Sequence, residues 1–432
     1  MISYIRSKIS PNLSTVDVDL SEVSQKIKKH LQHRPVIHFK GAISESPLRV
    51  KTDNKGRFVR FSLQAESSFH LDTIEIFNKD GRNIAPGKRT IISSVYNDEE
   101  KYDGRGALEG KKNGGCGFHT KREQAPWLIV DLGTVRNLDE IVVYNREGQY
   151  YTRALSLKIE SSRDLTKWEL IHDNWACLNA FDDGELGIEE VALLHAGVLD
   201  SGPAHNLITN LRKEGRHEQA LKFHQYVNEL VSERGLALGP HGFTQTFDLS
   251  SEAKKQKTYR ELAQLLKWVN EEFGTPAFIS SGTLLGIVRD GKFIGHDDDV
   301  DICYISKEST EQGIVEERQR LVKFLTEKGC RITPSDSAHY WCTTPGGVSL
   351  DIFTGFIEDG YCSMNPIGRK QVQVEAVLPL KTVQTNGVEL VLPNDPEPLL
   401  VLNYGPSWRK PDPLWTFDWG QARRDFAFLY FK

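Results

Sequence analysis

No apolar run in the 432 residues approaches the ~18 needed to cross a bilayer, so no transmembrane helix is expected. The opening segment, MISYIRSKISPNLS, lacks the apolar core of a secretory signal. Cysteine is scarce: Cys116, Cys177, Cys303, Cys330, Cys342 and Cys362 are the only six, and no CxxC pair occurs. This argues against a disulfide scaffold and for reduced thiols, with a cytoplasmic location, at the inner face of the membrane in one version, as the expectation. An excess of positive charge is also missing. Lys plus Arg is 54, Asp plus Glu is 59, and the net charge is −5. General polyanion affinity is excluded, no nucleic-acid partner is expected, and any phosphate contact must be local. What is present, 26% charged and 39% hydrophobic residues, is the composition of a globular chain, and the length suggests about three domains at ~150 residues each.

Residues 1–34 form a lead-in helix, with Leu20, Val23, Ile27 and Leu31 near helical spacing among Lys26, Lys28 and Lys29. Two readings stand for it: a helix docked on its own protein, or a peripheral contact with an anionic membrane surface. Residues 35–195 alternate apolar and polar side chains in short segments punctuated by Gly, Asn and Asp, as in Thr73-Ile74-Glu75-Ile76-Phe77 and Ile141-Val142-Val143-Tyr144. Many short strands with turn signals predict a β-sandwich. Residues 196–250 read as a helical spacer, His205–Gly215 and His217–Arg234 forming a hairpin stopped by Gly215. Its Leu211–Leu221 stretch resembles a single tetratricopeptide unit, too short to stand as an array. From 251 the pattern is α+β. A helix capped by Ser251 carries Tyr259, Leu262, Leu266, Val269 and Phe273 on one face; strands are expected at 277–279, 300–305 and 348–353, and a helix at 316–328.

The chemistry is concentrated at Ile279-Ser280-Ser281-Gly282-Thr283 and at His296-Asp297-Asp298-Asp299-Val300-Asp301. Four aspartates in five positions repel one another unless a cation or solvent screens them. Asp299 and Asp301 at i and i+2 on a strand share a face, and such oxygen ligands suit Mg²⁺ or Mn²⁺. Asp351, inside the apolar run Val348–Phe353, needs a partner, which a cation on a neighbouring strand would supply. Asp299, Asp301 and Asp351 are therefore the candidate catalytic and metal-binding residues, with Asp297 as a further ligand; for Asp297 and Asp298 a solvated loop or a structural calcium site is the competing reading. Ser281, Gly282 and Thr283, between a strand and a helix-like run, would offer backbone N–H groups to a donor phosphate, and Arg289 and Lys292 would neutralise it.

Thr283-Leu284-Leu285-Gly286-Ile287-Val288-Arg289, then Asp297-Asp298-Asp299-Val300-Asp301 and Leu350-Asp351-Ile352-Phe353, resemble the LicD/fukutin-related family over about 250–432, with weaker likeness at Leu378-Pro379-Leu380-Lys381, Val391-Leu392-Pro393, Tyr404-Gly405 and Trp408. The resemblance implies a nucleotidyltransferase fold and transfer of a phospho-alcohol (phosphocholine, ribitol phosphate or glycerol phosphate) from a CDP-linked donor to a glycan of capsule, lipopolysaccharide or teichoic type, releasing CMP. The family usually has Pro-Trp before the aspartates, whereas Gly295-His296 stands here, which bears on donor choice.

Upstream, Pro126–Gly133, Val143-Tyr144-Asn145-Arg146 and Ser161-Ser162-Arg163-Asp164 with Trp168 resemble the discoidin, or coagulation-factor type C, family over about 80–175, with strands from about 36 completing the sandwich. Fucose-binding members hold sugar with a His and two Arg. The resemblance makes His119, Arg146 and Arg153 the glycan-binding candidates, although Gly148 replaces the Asp of the family's Arg-x-Asp pattern and His119 is two residues displaced.

The expected fold is thus multidomain: an N-terminal β-sandwich of discoidin-like jelly-roll type, a helical spacer, and a C-terminal α+β nucleotidyltransferase-like domain. Cys330, His339, Cys342 and Cys362 match no tight zinc motif and read as buried thiols, with zinc as the alternative. The aromatics from Trp415 to Phe431 read as packing of a terminal helix or strand, with a lipid contact as the alternative. Three functions remain: phospho-alcohol transfer, nucleotidyl transfer from an NTP, and an inactive lectin-like scaffold.

Overall fold

A computed structural model of the chain describes residues 20–31, 37–148, 150–181, 184, 186–334 and 338–430. Most of the lead-in (1–19 and 32–34) and Phe431 lie outside the described residues. The chain divides into two compact units, Met1–Glu233 and Arg234–Lys432.

The first unit is built on ten antiparallel strands. These are β1 (Leu48–Lys51), β2 (Lys55–Leu63), β3 (Ser67–Leu71), β4 (Thr73–Phe77), β5 (Arg89–Ile92), β6 (Phe118–Glu123), β7 (Trp127–Asn137), β8 (Glu140–Tyr144), β9 (Leu157–Ser162) and β10 (Glu169–Asp173). They form a five-stranded sheet in the order β10-β9-β2-β7-β5, a three-stranded sheet β1-β8-β4 and the pair β3-β6. Alternate residues of the two larger sheets (Val59, Phe61 and Val130 from one, Ile74, Ile76, Ile141 and Val143 from the other) enter one buried cluster, as a sandwich requires.

Among the described residues, four helices of ten residues or more complete this unit: α1 (Ser21–His30), α2 (Ile188–Gly197), α3 (Gly202–Lys213) and α4 (His217–Val231). The apolar stripe Leu20, Val23, Ile27 and Leu31 is buried, with α1 packed on α2 and α4, so its apolar face is occupied within the unit. The α3–α4 hairpin stands where the periodicity placed it, with Gly215 at φ 77° after α3. Helix α2 is a correction to the all-β reading of 35–195. Every residue from Val191 to Gly197 is buried, so that run shows no polar face and its periodicity is invisible in the sequence. The stretch 196–250 read as a spacer is divided: α3 and α4 belong to the first unit, and 234–250 to the second.

In the second unit, a hairpin (Ala237–Gly239 with Gly242–Thr244) precedes α5 (Glu252–Lys267), whose cap is the Ser251 hydroxyl accepting from the Lys254 N–H. The central sheet contains β11 (Ala277–Ile279), β12 (Asp301–Ser306), β13 (Arg331–Pro334), β14 (Tyr340–Thr343) and β15 (Ser349–Glu358), in the order β11-β12-β15-β14-β13. Two further strands extend from β15: β16 (Tyr361–Met364) and β17 (Gly368–Gln373). Among the described residues, β12 and β15 are the only pair of this sheet that runs parallel. Helices α6 (Ser281–Asp290) and α7 (Glu311–Glu327) lie in the connections, and α8 (Pro396–Tyr404) packs on α6. Helix α7 begins five residues before the expected 316, because Thr310 caps the Gly313 N–H ahead of any apolar residue. Strand β15 runs on past the expected 353, since Thr354, Gly355 and Phe356 remain paired with β12 and Gly355 to Glu358 pair with β16.

Phe247 lies in the segment before α5 and stacks on Phe293 at 4.7 Å. A fragment of 234–432 is therefore expected to melt cooperatively, and one of 251–432 to be weaker by about 3 kcal/mol for the lost aromatic. Equal denaturant midpoints would show that 234–250 adds nothing to this core.

Candidate active site

The parallel pairing of β12 and β15 sets Asp301 directly opposite Asp351, and Asp299 enters from the extended segment just before β12 rather than from the strand itself. Carboxylate oxygens of Asp299, Asp301 and Asp351 all lie within 4.8 Å of one another, and those of Asp297, Asp298 and Asp299 form a second such group sharing Asp299. Among the described residues these are the only clusters of metal-ligating side chains.

The loop before α6 holds this group in place. The Gly282 N–H donates to Asp301 Oδ2 (3.1 Å), the Asp301 N–H donates to Thr283 Oγ1 (2.7 Å), and the Ser280 N–H donates to the Asp301 carbonyl (3.0 Å). Gly282 and Thr283 thus act through Asp301. Ser281, at φ 44° in the left-handed region, has a buried hydroxyl with no partner among the described residues. Strain of this kind at a non-glycine position gathers at functional loops. A Cβ on Gly282 would stand 2.6 Å from Asp297 Oδ2. Gly282→Ala is expected to cost about 1–3 kcal/mol and to weaken divalent-ion binding, read by thermal melting with and without Mn²⁺. Wild-type melting under both conditions would refute that packing argument.

Burial and mutual repulsion dominate the electrostatics. Burial, then Asp301, Asp297 and Asp351, push Asp299 well above the usual carboxylate range; burial, then Asp351 and Asp297, do the same to Asp301. Burial also raises Asp297. Such a set is stabilised by a hard divalent cation, and its all-oxygen donors fit Mg²⁺ or Mn²⁺.

Several neighbours were not singled out as part of this site by sequence pattern. His241, on the hairpin turn, places Nδ1 3.3 Å from Asp298 Oδ1 and 3.9 Å from Asp299 Oδ2; the Asp298 hydrogen bond raises its imidazole above the ordinary value. His339, grouped with cysteines by the zinc alternative, instead has Nε2 3.0 Å from Asp351 Oδ2. Cys330 and Cys342 lie side by side and Cys362 lies near Cys303, and these residues with His339 form no common metal site. Burial and the charges of Asp301, Asp297 and Asp299 push the Tyr404 phenol well above its usual range. Rings of Tyr404, Trp415, Phe417 and Trp419 touch in sequence, and Trp419 stacks on His339 at 6.2 Å, so these C-terminal aromatics pack within the second unit. In sequence this region was marked by the Tyr404-Gly405 and Trp408 likeness and by the run of aromatics from Trp415, read as packing.

Arg289 pairs with Asp290 (2.8 Å) and reaches the Trp408 carbonyl, while Lys292 is exposed on the turn after α6; no contact of either with the aspartates is seen among the described residues. The Gly295-His296 departure has a local reason. The Asp248 N–H donates to the Gly295 carbonyl (2.8 Å), and a Cβ at 295 would lie 2.1 Å from the Asp248 carboxylate. His296 is half-buried in that turn.

In the first unit the three glycan candidates do converge. Arg146 and Arg153 both lie over the Tyr150 ring, at 4.5 and 4.6 Å, and His119 contacts Tyr96 at 4.6 Å and His70 at 5.3 Å. His70 and Tyr150, 6.4 Å apart, connect the two halves of the group.

The fold and the carboxylate group define a nucleotidyltransferase-like α+β domain, and the preceding unit a discoidin-like sandwich. The family model for the LicD/FKTN/FKRP nucleotidyltransferase domain matches residues 274–395, and that for the F5/8 type C domain matches residues 90–187. The chain therefore has an N-terminal discoidin-like and a C-terminal LicD-like arrangement. The first match spans Ser281 to Asp351, and the second starts within β5, so β1–β4 extend the sandwich ahead of it. The LicD match points to a transferase acting on phosphate groups, of glycan-modifying type. A comparison with curated proteins gives no match. Among the described residues, no helix is long and apolar enough to cross a membrane.

Proposed function

We propose that the second unit transfers a phospho-alcohol from a CDP-linked donor to a hydroxyl of a cell-surface glycan, with CMP as the leaving group. The observation that carries this reading is the convergence of Asp299, Asp301 and Asp351 beside the strained Ser281 loop. These three residues, with Asp297, would hold Mg²⁺ or Mn²⁺, which when bound supplies neutralising charge for the donor phosphates. Asp301 is locked by Gly282 and Thr283, so its carboxylate is oriented before any donor arrives. The Ser281 hydroxyl is the free polar group of that loop and is assigned to a donor phosphate oxygen. As the acceptor oxygen bonds to the distal phosphorus, the bond from phosphorus to the bridging oxygen breaks and CMP departs. Asp351, with the His339 ring 3.0 Å away, takes the acceptor proton or orients the group that does. His119, Arg146 and Arg153 are assigned to glycan contact, which would raise the local acceptor concentration. A CDP-linked donor and reduced thiols favour the cytoplasm as the site of action, at the inner face of the membrane for a surface glycan.

The test is a screen of CDP-choline, CDP-ribitol and CDP-glycerol for CMP release with capsule- or teichoic-type oligosaccharides. CMP release dependent on donor and acceptor is the expected result. Pyrophosphate release from an NTP would replace this reading with nucleotidyl transfer, and no release of either with an active glycan-binding unit would replace it with an inactive scaffold.

A further inference from the structure

We infer that the Arg146–Tyr150–Arg153 group of the first unit binds the anionic group of an acidic sugar, a carboxylate or a phosphate, rather than a neutral pyranose alone. This rests on the assignment of that surface to glycan contact and narrows its ligand class. Two guanidiniums lie over one half-buried tyrosine ring, at 4.5 and 4.6 Å. Neither has an ion-pair partner among the described residues. The neighbouring acid in the chain, Glu147, is committed elsewhere: its carboxylate accepts from the Gly41 N–H (3.0 Å), the Ser44 N–H (3.0 Å) and the Ser44 hydroxyl (2.8 Å). The next position, where a carboxylate would balance the arginines, is Gly148. Arg146 touches the Cys116 thiol, which burial keeps in its neutral form.

The rings around His119 supply hydrogen-bonding capacity and aromatic faces. His119 Nδ1 lies 2.7 Å from the Thr120 carbonyl, so Nδ1 carries the proton and Nε2 is left as an acceptor for a sugar hydroxyl. His70 is fully buried with both ring nitrogens unpartnered. Tyr96, 41% exposed, and Tyr102 flank His119. Two uncompensated forks over an aromatic face match a planar carboxylate or a phosphate, whose charge-assisted bonds are about twice as strong as those to a hydroxyl.

Calorimetry on the full chain with methyl glucuronide, glucose 6-phosphate and methyl fucoside tests this. At least one anionic probe is expected to bind about tenfold more tightly than the fucoside, to weaken with added salt, and to lose about tenfold in Arg153→Gln. Which anionic probe binds identifies the carboxylate or the phosphate as the source. Gly148→Asp restores a carboxylate at an exposed position with φ 78°, where an added Cβ meets nothing within 4 Å. The left-handed backbone strains any side chain there, Asp less than most, so the variant is expected to fold with a slightly lowered melting temperature and to lower anionic binding by about tenfold. Fucoside binding as tight as that of both anions would overturn the anionic assignment and leave glycan contact standing. Absence of binding by all three probes would overturn both.

Discussion

Asp301→Asn is expected to reduce transfer at least ~10²-fold while the protein still folds. The side chain is isosteric, and its oxygen can still accept from the Gly282 N–H; the Asp301 backbone N–H keeps its bond to Thr283 Oγ1. What disappears is one buried negative charge facing Asp351 and Asp297. In the absence of a cation that charge is a liability, so the variant should melt at or above the wild-type temperature in chelator and respond less to Mn²⁺. Steady-state CMP release and paired melting curves check the two halves of the expectation. Near-normal turnover in the folded variant would end the metal-ligand assignment.

Exhaustive chelation is expected to stop turnover, with Mg²⁺ or Mn²⁺ restoring it. The same ions should stabilise the second unit by about 2.7 kcal/mol at roughly one hundred times the dissociation constant. For a unit of this size that is roughly 5–10 °C in melting temperature. The pH dependence follows from the direction of the shifts. Asp297, Asp299 and Asp301 hold their protons more tightly folded than unfolded. Over the window from the unfolded carboxylate pKa, near ~4, up to the raised folded values, the native state binds more protons, so metal-free stability falls as pH rises. Below that window both states are protonated and the penalty is absent. A saturating divalent ion should flatten this profile. Full activity after chelation, or rescue by Zn²⁺ alone, would contradict an all-carboxylate site.

Much of the site was legible because its signals are local. Four aspartates in five positions carry their own repulsion, and an aspartate inside the run Val348–Phe353 announces an unmet partner. Ser281-Gly282-Thr283 was legible as a special loop, but not as the clamp on Asp301 that the backbone makes of it. His241 was illegible for the opposite reason. A histidine in a Gly-Pro-His-Gly turn has no periodicity, and its 57-residue separation from Asp298 is closed only by the fold. Helix α2 was hidden because burial on every side removes the polar face by which a helix declares itself.

The sequence by itself determined the two kinds of architecture, the strand-and-turn rhythm of the first unit and the α+β pattern of the second, because hydrophobic period and turn chemistry act over a few residues. It also singled out the carboxylates that the fold brings together, since charge density and an acid in an apolar run are one-dimensional facts. Tertiary structure alone decided that β12 and β15 run parallel with Asp301 opposite Asp351, that His339 backs Asp351 instead of joining the cysteines, and that Arg146 and Arg153 face one tyrosine without an acid between them. Those are statements of register and convergence, set by how distant strands pair and pack, and no local pattern of residues encodes them.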